Sequence, residues 1–499
     1  MEFKNDIGKP WRFEEGDLTV TRSAVWSPPG CHPVSCGVKF YVNKEGILEK
    51  IEGDENHPVT KGRLCPRCLA MKEYIYNPSR VIYPMKRDPK DRGKDRWERV
   101  SWDEAYDLIA EKTKYYTETY GAECIAAYSG TGRDGGIMIQ SYAQRVLGTP
   151  NACYCQSGYA CYLPRLAITS YNVGAAYPEI DYAGGMEGTY DNPEFELPEV
   201  IIAWGKEPLP SNPDGLFGHA LIDMMKRGSK LISVDPRKNW LATRASLHLR
   251  IRPGTDGALA LAMLNIIIGE KLYDEKFVEE WTYGFDELAE RVKEYPPEMA
   301  AETCGVPIED VYEIARVYAK AKPAQIVWGL AIDQNPRGMQ AGQAILALMA
   351  ITGNLDRPGG QLLGTRVDEE TSISSVGWDA MGEELQNKTI GLKEYPAYCT
   401  LILNAQADLM LEALETDVPY KIRMGYISST NLIAPTCSAQ PRRWHDAITK
   451  LEWAFATDCF ITPTIQACAD LFLPVSTVAE HDAVTFTHYT QTPITIGAM

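Results

Sequence analysis

Residues 200–237 read VIIAWGKEPLPSNPDGLFGHALIDMMKRGSKLISVDPR, and this stretch decides the predicted fold. Its two short apolar runs, at 200–204 and 231–234, predict buried strands. The segment GHALIDMMKRG (218–228) between them predicts a helix that ends at a glycine. A strand, a helix and a second strand at this spacing form one half of a doubly wound parallel sheet. The stretch therefore predicts an α/β protein.

The same alternation of strands and helices continues on both sides of this stretch. Upstream, Ser101 is a plausible N-cap of a helix that closes at Gly121, and CIAAYSGTG (124–132) predicts the strand and glycine turn that follow. Residues 20–85 differ, because GVKFYV and GILEKIEG predict a β-hairpin with little helix around it. Downstream, the pattern predicts a strand at 324–332, a helix at 338–354 and further α/β structure from 427 to 476.

Bulk properties bound the class of protein. A chain of 499 residues is long enough for about three domains, here a small β-rich N-terminal lobe and two doubly wound α/β domains. The formal net charge of −17 argues against nucleic acid as a partner, since phosphate binding needs a basic face. The first twenty residues carry no signal-peptide core, and the longest apolar run, 258–269, is too short to cross a bilayer. These features predict a cytoplasmic protein without direct membrane insertion.

Four cysteines, Cys31, Cys36, Cys65 and Cys68, form the pattern C-x4-C-x28-C-x2-C. In the reducing cytosol such clusters are metal ligands more often than disulfides. The two pairs can converge only if a hairpin lies between them, and the predicted hairpin fits this requirement. Four thiolates suit either a structural zinc ion or an iron–sulfur cluster, and the spacing alone does not choose between them. Cysteines without any ligand role are the third reading.

A second group of cysteines lies in NACYCQSGYAC, namely Cys153, Cys155 and Cys161. These are either loop cysteines without a ligand role, or one of them is a thiolate that binds a large cofactor. The remaining cysteines stand among apolar or helical neighbours, which predicts small core residues: Cys124, Cys304, Cys399, Cys437, Cys459 and Cys468.

Seven segments, taken in order, carry a family resemblance: EGDENHPVTKGRLCPR, RVSWDEAYDLIAEK, WGKEPLPSNP, LISVDPR, LRIRPGTDGALALAML, AITGNLDRPGG and ADLFLPVSTVAEHD. The series resembles the molybdopterin oxidoreductase family, the dimethyl-sulfoxide-reductase superfamily that includes formate dehydrogenases and nitrate reductases. Each segment alone is weak evidence, but together they cover nearly the whole chain. The segments WSPPGCHPVSCGV and RLCPRCLA are most similar in sequence to acetylene hydratase, pyrogallol transhydroxylase and catechol dehydroxylase-like members.

The resemblance implies how the chain divides into domains. Residues 1–85 would form a [4Fe-4S] lobe, 86–147 with 360–480 a discontinuous pterin-binding α/β domain, and 148–359 an inserted α/β domain for the pterin guanine dinucleotide. Residues 481–499 would begin a C-terminal region that closes over both pterins in family members. The chain is therefore expected to be a fragment or a truncated product, and a truncated product would be an inactive cluster-binding protein.

The resemblance also chooses between zinc and iron–sulfur. The family binds a [4Fe-4S] cluster through C-x2-C-x3-C and a fourth cysteine in LCxKG. This sequence has Ser27 and Pro28 where the first cysteine belongs, and Cys68 where the final glycine belongs. Cys68 is therefore expected to replace the missing ligand and to complete the set Cys31, Cys36, Cys65 and Cys68. Arg67 stands in the place of the lysine that bridges cluster and pterin, unless it is a solvated surface charge.

The family's molybdenum or tungsten is held by two pterin dithiolenes and one protein ligand, a little after a GTPN-like turn. GTPN is residues 148–151 here, and the resemblance implies Cys161 as that ligand. Two extra residues precede Cys161, so Cys155 and Cys153 remain alternatives.

Two further residues are candidates for acid–base chemistry. Tyr162 stands where formate dehydrogenases have a histidine, which speaks against formate oxidation. Its phenol is either a proton donor or a packed aromatic side chain. His32 follows Cys31, roughly where acetylene hydratase has a catalytic carboxylate, and is either an acid or base or a hydrogen-bonded neighbour of the cluster.

The family's pterin is linked to GMP, and turns after predicted strands match its binding sites. Ligands sit at such turns in doubly wound sheets, and a turn that opens a helix is an anion site. Asp235 matches the acid that contacts guanine. Each match alone is compatible with an ordinary turn or cap. The residues implied to bind the cofactor are Gly130, Thr131, Arg133, Gly205, Ser211, Asn212, Asp235, Arg237, Arg252, Gly254, Thr255 and Asp256.

The resemblance implies a redox enzyme. It would pass electrons through a [4Fe-4S] cluster to a bis-molybdopterin guanine dinucleotide centre with molybdenum or tungsten, and reduce a small organic substrate, with removal of an aromatic hydroxyl as one candidate reaction. The alternative is a hydratase or hydroxyl transferase without net redox change. An iron–sulfur electron-transfer subunit as partner would favour the first, and turnover by the chain alone would favour the second.

Overall fold

The structure is a computed structural model. It describes residues 10–25, 36–57, 60–130, 133–154, 163–175, 178–181, 194–211, 216–363, 377–434, 440–486 and 495–498. In these ranges a four-stranded antiparallel sheet at the N-terminal end is accompanied by two sheets with parallel strands and flanking helices, one of seven strands and one of four. This architecture confirms the expected mixed α/β, multi-domain fold with a small β-rich N-terminal lobe.

The N-terminal lobe is built around four antiparallel strands that pair in chain order. The predicted hairpin is confirmed, because the third and fourth strands of the lobe pair with each other. In the turn between them, Asn43 Oδ1 accepts hydrogen bonds from the amides of Glu45 and Ile47. The elements are β1 (Arg12–Glu15), β2 (Leu18–Val25), β3 (Cys36–Val42), β4 (Leu48–Gly53), α1 (Pro66–Leu69) and α2 (Met71–Ile75).

The chain then supplies the first strands of the larger sheet. The helix predicted after Ser101 is confirmed, since Ser101 Oγ accepts a hydrogen bond from the Glu104 amide (3.1 Å) and the helix ends at Gly121. The elements are β5 (Met85–Lys86), β6 (Glu98–Arg99), α3 (Trp102–Tyr120), β7 (Ile125–Ser129), α4 (Arg133–Arg145), β8 (Ala152–Tyr154), α5 (Leu163–Val173) and β9 (Glu179–Ile180).

The middle of the chain forms the smaller parallel sheet and its helices. The apolar run at 258–269 lies in a buried helix, as predicted, which packs against four neighbouring helices. The elements are β10 (Val200–Trp204), α6 (Pro208–Ser211), α7 (Leu216–Arg227), β11 (Lys230–Val234), β12 (Leu247–Leu249), α8 (Asp256–Gly269), α9 (Glu275–Trp281), α10 (Phe285–Val292), α11 (Pro297–Cys304), α12 (Ile308–Lys320), β13 (Ala324–Trp328), α13 (Leu330–Asp333), α14 (Gly338–Ile351) and β14 (Gln361–Leu362).

The strand predicted at 324–332 is shorter than expected. β13 ends at Trp328, and the helical turn α13 follows. The chain turns at Gly329 because it passes directly over the end of β10: a Cβ atom on Gly329 would lie 2.4 Å from the carbonyl oxygen of Gly205. The approach of two backbones therefore ends the strand, which periodicity does not reveal.

The last part of the chain completes the larger sheet. None of the helices within the described ranges combines the length and the apolar composition that crossing a bilayer requires. The elements are α15 (Glu383–Gln386), α16 (Pro396–Ile402), α17 (Ala407–Thr416), β15 (Met424–Ser428), α18 (Pro441–Ile448), β16 (Trp453–Asp458), α19 (Pro463–Cys468), β17 (Leu471–Pro474), β18 (Ala483–Phe486) and β19 (Thr495–Ala498).

Each parallel sheet contains one point at which the strand order reverses. The larger sheet has the order β6-β5-β17-β16-β15-β7-β8, with β5 and β6 as an antiparallel margin. The smaller sheet has the order β12-β11-β10-β13, all parallel. The reversals fall between β7 and β15 and between β10 and β13. In open α/β sheets ligands bind at such switch points, outside the carboxyl ends of the strands.

Candidate functional site

Two of the expected cluster ligands lie one helical turn apart at the end of the N-terminal lobe. Cys65 is the N-cap of α1, Pro66 begins the helix, and Cys68 lies within it, so that the two sulfur atoms are 4.0 Å apart. Cys36 is the first residue of β3. All three cysteine side chains are buried in the same apolar cluster of the lobe.

Thiolates are the ligands of iron–sulfur clusters and of structural zinc, so the donor chemistry of this core fits either group. Within the described ranges, no set of three or more His, Cys, Asp or Glu side chains is close enough together to hold a metal ion. Cys31 and His32 lie outside the described residues. The Cys65–Cys68 pair is thus the part of the expected cluster site whose geometry is known.

His57 and Thr60 contact Gly37, the residue after Cys36, and neither was predicted as a site residue. The His57 ring packs so closely on Gly37 that a Cβ atom there would lie 2.2 Å from the histidine Cβ. Thr60 Oγ1 accepts a hydrogen bond from the Gly37 amide (3.2 Å), and the Thr60 amide donates to His57 Nδ1 (3.0 Å). Both residues stand in the segment EGDENHPVTKGRLCPR, whose resemblance to a family was the available signal.

The cysteine turn faces the smaller sheet through its arginines. Arg67 donates a hydrogen bond from its guanidinium to the carbonyl oxygen of Ser211 in α6, at 3.3 Å. Arg63 lies near Asp223 of α7, and burial lowers the pKa of its guanidinium. The structure therefore brings together Arg67 and Ser211, two predicted site residues that are 144 positions apart in the sequence.

The switch point of the smaller sheet is formed by close backbone contacts. Gly205, directly after β10, has a φ of +59°, which glycine adopts readily, and a Cβ atom there would lie 2.7 Å from that of Ala331. Its amide donates to the carbonyl oxygen of Val234 (2.9 Å), and the Gly329 amide donates to that of Trp204 (3.2 Å). Gly205 thus lies where β10, β11 and β13 meet, and its predicted role in cofactor binding stays a prediction.

Asp235 lies directly after β11 and is almost fully buried. Its Oδ1 accepts a hydrogen bond from the Arg237 amide (2.7 Å), and its Oδ2 accepts one from Asn239 Nδ2 (3.0 Å). The Arg237 guanidinium is exposed and lies 3.5 Å from Oδ1. Exposed Lys238 and Arg250 lie after β11 and β12, and Arg250 donates to the carbonyl oxygen of Pro236 (2.9 Å). This edge therefore carries exposed positive charge, as an anionic ligand requires.

The turn RPGTD (252–256) lies at the same edge, but the protein itself uses three of its side chains. Arg252 donates to the carbonyl oxygens of Glu302 and Thr303 at the end of α11. Thr255 Oγ1 donates to the Arg252 carbonyl oxygen (2.7 Å), while Gly254 sits between them in the turn. Asp256 Oδ1 accepts a hydrogen bond from Trp204 Nε1 (2.9 Å). Burial raises the pKa of Asp256. The hydrogen bond between Asp256 and Trp204 connects the start of α8 to the end of β10.

The switch point of the larger sheet contains polar residues that sequence reasoning missed. A Cβ atom on Gly130, after β7, would lie 2.0 Å from the carbonyl oxygen of Ser429, whose own φ is +52°. Thr430 is buried, and its hydroxyl has no hydrogen-bond partner in the part of the chain that the structure describes. Thr457 Oγ1 donates to Ser428 Oγ (2.7 Å), and burial raises the pKa of Asp458. In the sequence, the change from apolar to polar residues at ISST (427–430) was the signal that could have indicated this polar site.

Several predicted residues fall outside the described residues, and the structure shows only where the neighbouring elements begin. α4 begins at Arg133, whose side chain is not described, and α5 begins at Leu163. Cys153 is buried in β8, so its environment is that of a core residue. The predicted residues outside the described ranges are Cys31, His32, Thr131, Cys155, Cys161, Tyr162, Asn212 and Cys437.

α5 is anchored to the smaller sheet by a buried ion pair. The carboxylate of Asp333 accepts hydrogen bonds from the amide of Arg165 (3.1 Å) and from its Nε (2.9 Å). Arg165 also donates to the carbonyl oxygen of Trp328 at the end of β13 (3.0 Å). Both charged side chains are completely buried (0% exposed). The helix that follows the predicted metal ligand is therefore held at the switch point of the smaller sheet.

The fold and the site together define a class. This is an α/β protein in which a cysteine-containing lobe lies beside a parallel sheet, and each of two parallel sheets has glycine and polar residues at its switch point. Comparison with known families names the class. The molybdopterin oxidoreductase family matches residues 80–495, and the molybdopterin oxidoreductase Fe4S4 domain matches residues 29–77. The chain belongs to the molybdopterin oxidoreductase family, and these matches support a [4Fe-4S] cluster and a molybdopterin cofactor with molybdenum or tungsten.

Several characterised relatives are similar to the chain. It is 28% identical to acetylene hydratase of Syntrophotalea acetylenica, over 88% of this chain and 61% of that protein. It is also 28% identical to the F420-dependent formate dehydrogenase subunit alpha of Methanocaldococcus jannaschii (91% and 64%) and 27% identical to dimethyl sulfoxide reductase DmsA of Escherichia coli (91% and 58%). The chain thus spans less than two thirds of the length of these relatives.

A solved structure agrees with the sequence comparisons. Acetylene hydratase from Pelobacter acetylenicus superposes with a TM-score of 0.82 at 26% sequence identity. The match covers 96% of this chain and 66% of that structure. The fold of the chain is therefore that of the corresponding part of acetylene hydratase.

Proposed function

We propose that the chain forms the cluster- and pterin-binding part of a molybdopterin oxidoreductase that reduces a small organic substrate, with aromatic dehydroxylation as a candidate reaction. The contact between Arg67 and Ser211 carries this proposal, because it joins the cysteine turn to the carboxyl edge of the smaller sheet. An electron path between a cluster and a nucleotide-linked pterin needs this juxtaposition. When bound, the metal centre supplies the two-electron chemistry.

The roles of the residues follow from the donor atoms that each carries. The proposed cluster ligands are Cys31, Cys36, Cys65 and Cys68. Arg67 keeps a positive charge between cluster and pterin at every pH, since a guanidinium does not titrate in the accessible range. Cys161 is the proposed metal ligand, with Cys155 and Cys153 as alternatives. Tyr162 and His32 are the proposed proton donors or acceptors.

The two switch points are the proposed sites for the two guanine nucleotides of a bis-pterin cofactor. Support comes from the exposed basic residues at the smaller sheet, and from the Thr430 hydroxyl at the larger sheet, which has no hydrogen-bond partner within the described ranges. A buried hydroxyl without a partner is unfavourable, and a nucleotide hydroxyl or phosphate would satisfy it. Asp235 is the proposed acceptor for guanine in the smaller sheet.

We propose the domain division expected from the sequence with two adjusted limits. The larger sheet takes strands from 85–154 and from 424–474, which supports a discontinuous domain. β8 belongs to that sheet, and β14 pairs with β9. The inserted domain is therefore placed at about residues 155–363 rather than 148–359.

A hydratase or hydroxyl transferase without net redox change is the second candidate. Acetylene hydratase matches the chain in both sequence and structure, and this observation favours it. The first candidate would use an iron–sulfur subunit as its electron partner, and the relative named formate dehydrogenase subunit alpha is by its name one subunit of a larger enzyme. The proposed location is the cytoplasm. Stoichiometric electron consumption per turnover would favour the first candidate, and turnover without it the second.

Metal analysis tests the proposed cluster and metal centre. The chain would be purified anaerobically, and iron, zinc, molybdenum and tungsten would be measured, with an EPR spectrum after reduction. The expected result is about four irons per chain together with molybdenum or tungsten. Cys65→Ser and Cys68→Ser should each lower the iron content by at least about half, because each removes a thiolate ligand.

Cys468→Ser is the matched control, since Cys468 is a buried cysteine of α19 that belongs to a different apolar cluster from the lobe cysteines, with its thiol donating to the carbonyl oxygen of Thr464. Iron should stay at the wild-type level in this variant. One zinc per chain and no iron in the wild type would overturn the cluster assignment. Iron without molybdenum or tungsten would contradict the proposed oxidoreductase while leaving the cluster intact.

A further inference from the structure

Glu207 is a buried carboxyl group that the proposed function does not use. It follows Gly205 by two residues at the carboxyl end of β10 and is 8% exposed. Neither of its carboxyl oxygens has a hydrogen-bond partner among the described residues. Burying an ionised carboxylate without a partner is strongly unfavourable, so a group in this state calls for an explanation.

The surroundings of Glu207 connect it to the nucleotide edge. Burial raises the pKa of Glu207, and the charge of Asp235 raises it further. The backbone amides of Leu241 and Leu209 and the charge of Arg237 act in the opposite direction, but the amides do not reach hydrogen-bond geometry. Glu207 therefore lies between α6, which contacts Arg67 through Ser211, and the loop after β11 that carries Asp235.

The neutral and ionised forms of Glu207 would have opposite effects on an anionic ligand. The two carboxyl groups stand at the ends of neighbouring parallel strands, since Trp204 pairs with Val234 in the register of β10 and β11. If both were ionised, two negative charges would face the phosphates that the exposed basic residues attract. With Glu207 neutral, only Asp235 is charged, and its oxygens stay available to the donor groups of a base.

We propose that Glu207 is a positioning residue for the nucleotide at the smaller sheet, which must be protonated for the nucleotide to bind tightly. This inference rests on the proposed nucleotide site. Binding then takes up a proton wherever Glu207 is partly ionised in the empty protein. The affinity falls as the pH rises through the ionisation of Glu207 and is constant below it.

Calorimetric titration with GMP tests the proposal. The full chain would be purified from cells that cannot make the pterin cofactor, and GMP affinity would be measured between pH 4 and pH 9 for the wild type and Glu207→Gln. The wild type is expected to lose affinity by about tenfold for each pKa unit by which GMP raises the pKa of Glu207. Because the ratio of the two proteins is compared, the titration of the GMP phosphate cancels.

Glu199→Gln is the matched control. Glu199 is exposed at the opposite, amino end of β10, so this change removes the same charge from the same strand away from the site. It should keep the pH dependence of the wild type, whereas Glu207→Gln should bind more tightly than the wild type at high pH and equally at low pH. Wild-type titrations in two buffers of different ionisation enthalpy should also show proton uptake, which requires no variant.

The outcomes separate this inference from the proposed function. A Glu207→Gln protein with the pH dependence of the wild type, or a wild type that binds GMP without Glu207-dependent proton uptake, would overturn the role of Glu207 and leave the nucleotide site standing. A wild type that binds no GMP at any pH would overturn both. A merely structural role of Glu207 predicts weaker binding of Glu207→Gln at every pH, which also contradicts the inference.

Discussion

At the scale of single residues, Arg165 and Asp333 form an ion pair in which both side chains are completely buried. A fully buried ion pair contributes little net stability, because desolvation of both groups offsets their attraction. Removing one partner is far more costly, since the other charge stays buried and unpaired. The pair thus acts mainly by fixing how α5 meets the end of β13, which the hydrogen bonds of Arg165 to Asp333 and Trp328 define.

We expect Asp333→Asn to lower the free energy of unfolding by about 3–5 kcal/mol, because it removes the buried carboxylate charge that lies 2.8 Å from the Arg165 guanidinium. The double variant Arg165→Met/Asp333→Leu should recover most of this loss, since two apolar side chains need no partner. Urea unfolding followed by tryptophan fluorescence would measure the free energy of unfolding of both variants, because buried Trp204 and Trp328 belong to the same sheet.

The surface pair Arg316–Glu270 supplies the control for this measurement, since its groups are 2.6 Å apart but substantially exposed. Glu270→Gln should change the stability by less than about 1 kcal/mol. If Asp333→Asn were as mild as Glu270→Gln, the buried pair would not constrain α5 as described.

Prediction from the sequence at this scale succeeded where spacing carries the information. The C-x2-C spacing of Cys65 and Cys68 places both sulfur atoms on one turn, and the structure confirms their proximity. Glu207 and Thr430 escaped prediction, because a single letter does not show that a polar group will be buried without a partner among the residues that the structure describes. Asp256 was predicted to bind the cofactor, but the structure shows its carboxylate bound to Trp204.

At the scale of elements, the ends of strands rather than their middles decide where the larger sheet can hold a ligand. β7 and β15 pair in register along their length, and their ends meet at Gly130 and Ser429. Any side chain at position 130 would push these two ends apart. The switch point therefore depends on one residue that has no side chain.

We expect Gly130→Ala to destabilise the protein by about 1–3 kcal/mol, because its Cβ would lie 2.0 Å from the carbonyl oxygen of Ser429 and one backbone must move. The thermal unfolding midpoint would measure this loss. Gly382→Ala is the control, since nothing lies within 4 Å of a Cβ at that position and its φ of −62° suits any residue. Equal midpoints for the two variants would show that the β7 and β15 ends separate without cost.

Elements with strong local signals were predicted well from the sequence. α3 has its N-cap at Ser101 and ends at Gly121, and the hairpin of β3 and β4 forms where expected. The strand at 324–332 was predicted too long, because its end depends on contact with β10, which is more than a hundred residues away in sequence. The local pattern of residues therefore predicts where an element lies, whereas tertiary contacts determine where it ends.

At the scale of the whole molecule, the contacts of the N-terminal lobe with residues that follow strands of the larger sheet include one charged and one aromatic pair. The Arg80 guanidinium donates to both carboxyl oxygens of Glu480, at 2.9 and 2.5 Å, and to the carbonyl oxygen of Val475. Tyr74 and Phe460 form an edge-to-face pair with centroids 5.3 Å apart. The position of the cysteine turn therefore depends on residues from the far end of the chain.

We expect Arg80→Met to loosen the lobe, because several hydrogen bonds of a charged group are lost, each of about 1.5–3 kcal/mol. Amide hydrogen exchange in β2–β4 and α1–α2 should become at least about tenfold faster, while exchange in β10–β13 stays unchanged. Lys44→Met is the control, since Lys44 pairs with Asp17 on the exposed surface of the same lobe. Equal acceleration in both sheets would indicate global destabilisation rather than release of the lobe.

The discontinuity of the larger sheet also affects the order in which its strands become available during synthesis. β7 and its neighbour β15 are separated by roughly 300 residues, which a ribosome translates in roughly 15–60 s. During that interval one edge of β7 has no strand beside it, whereas the smaller sheet has been synthesised as one continuous stretch. The nascent chain would therefore assemble its smaller sheet first, and the later part of translation is when it most needs a chaperone to shield the open edge of β7.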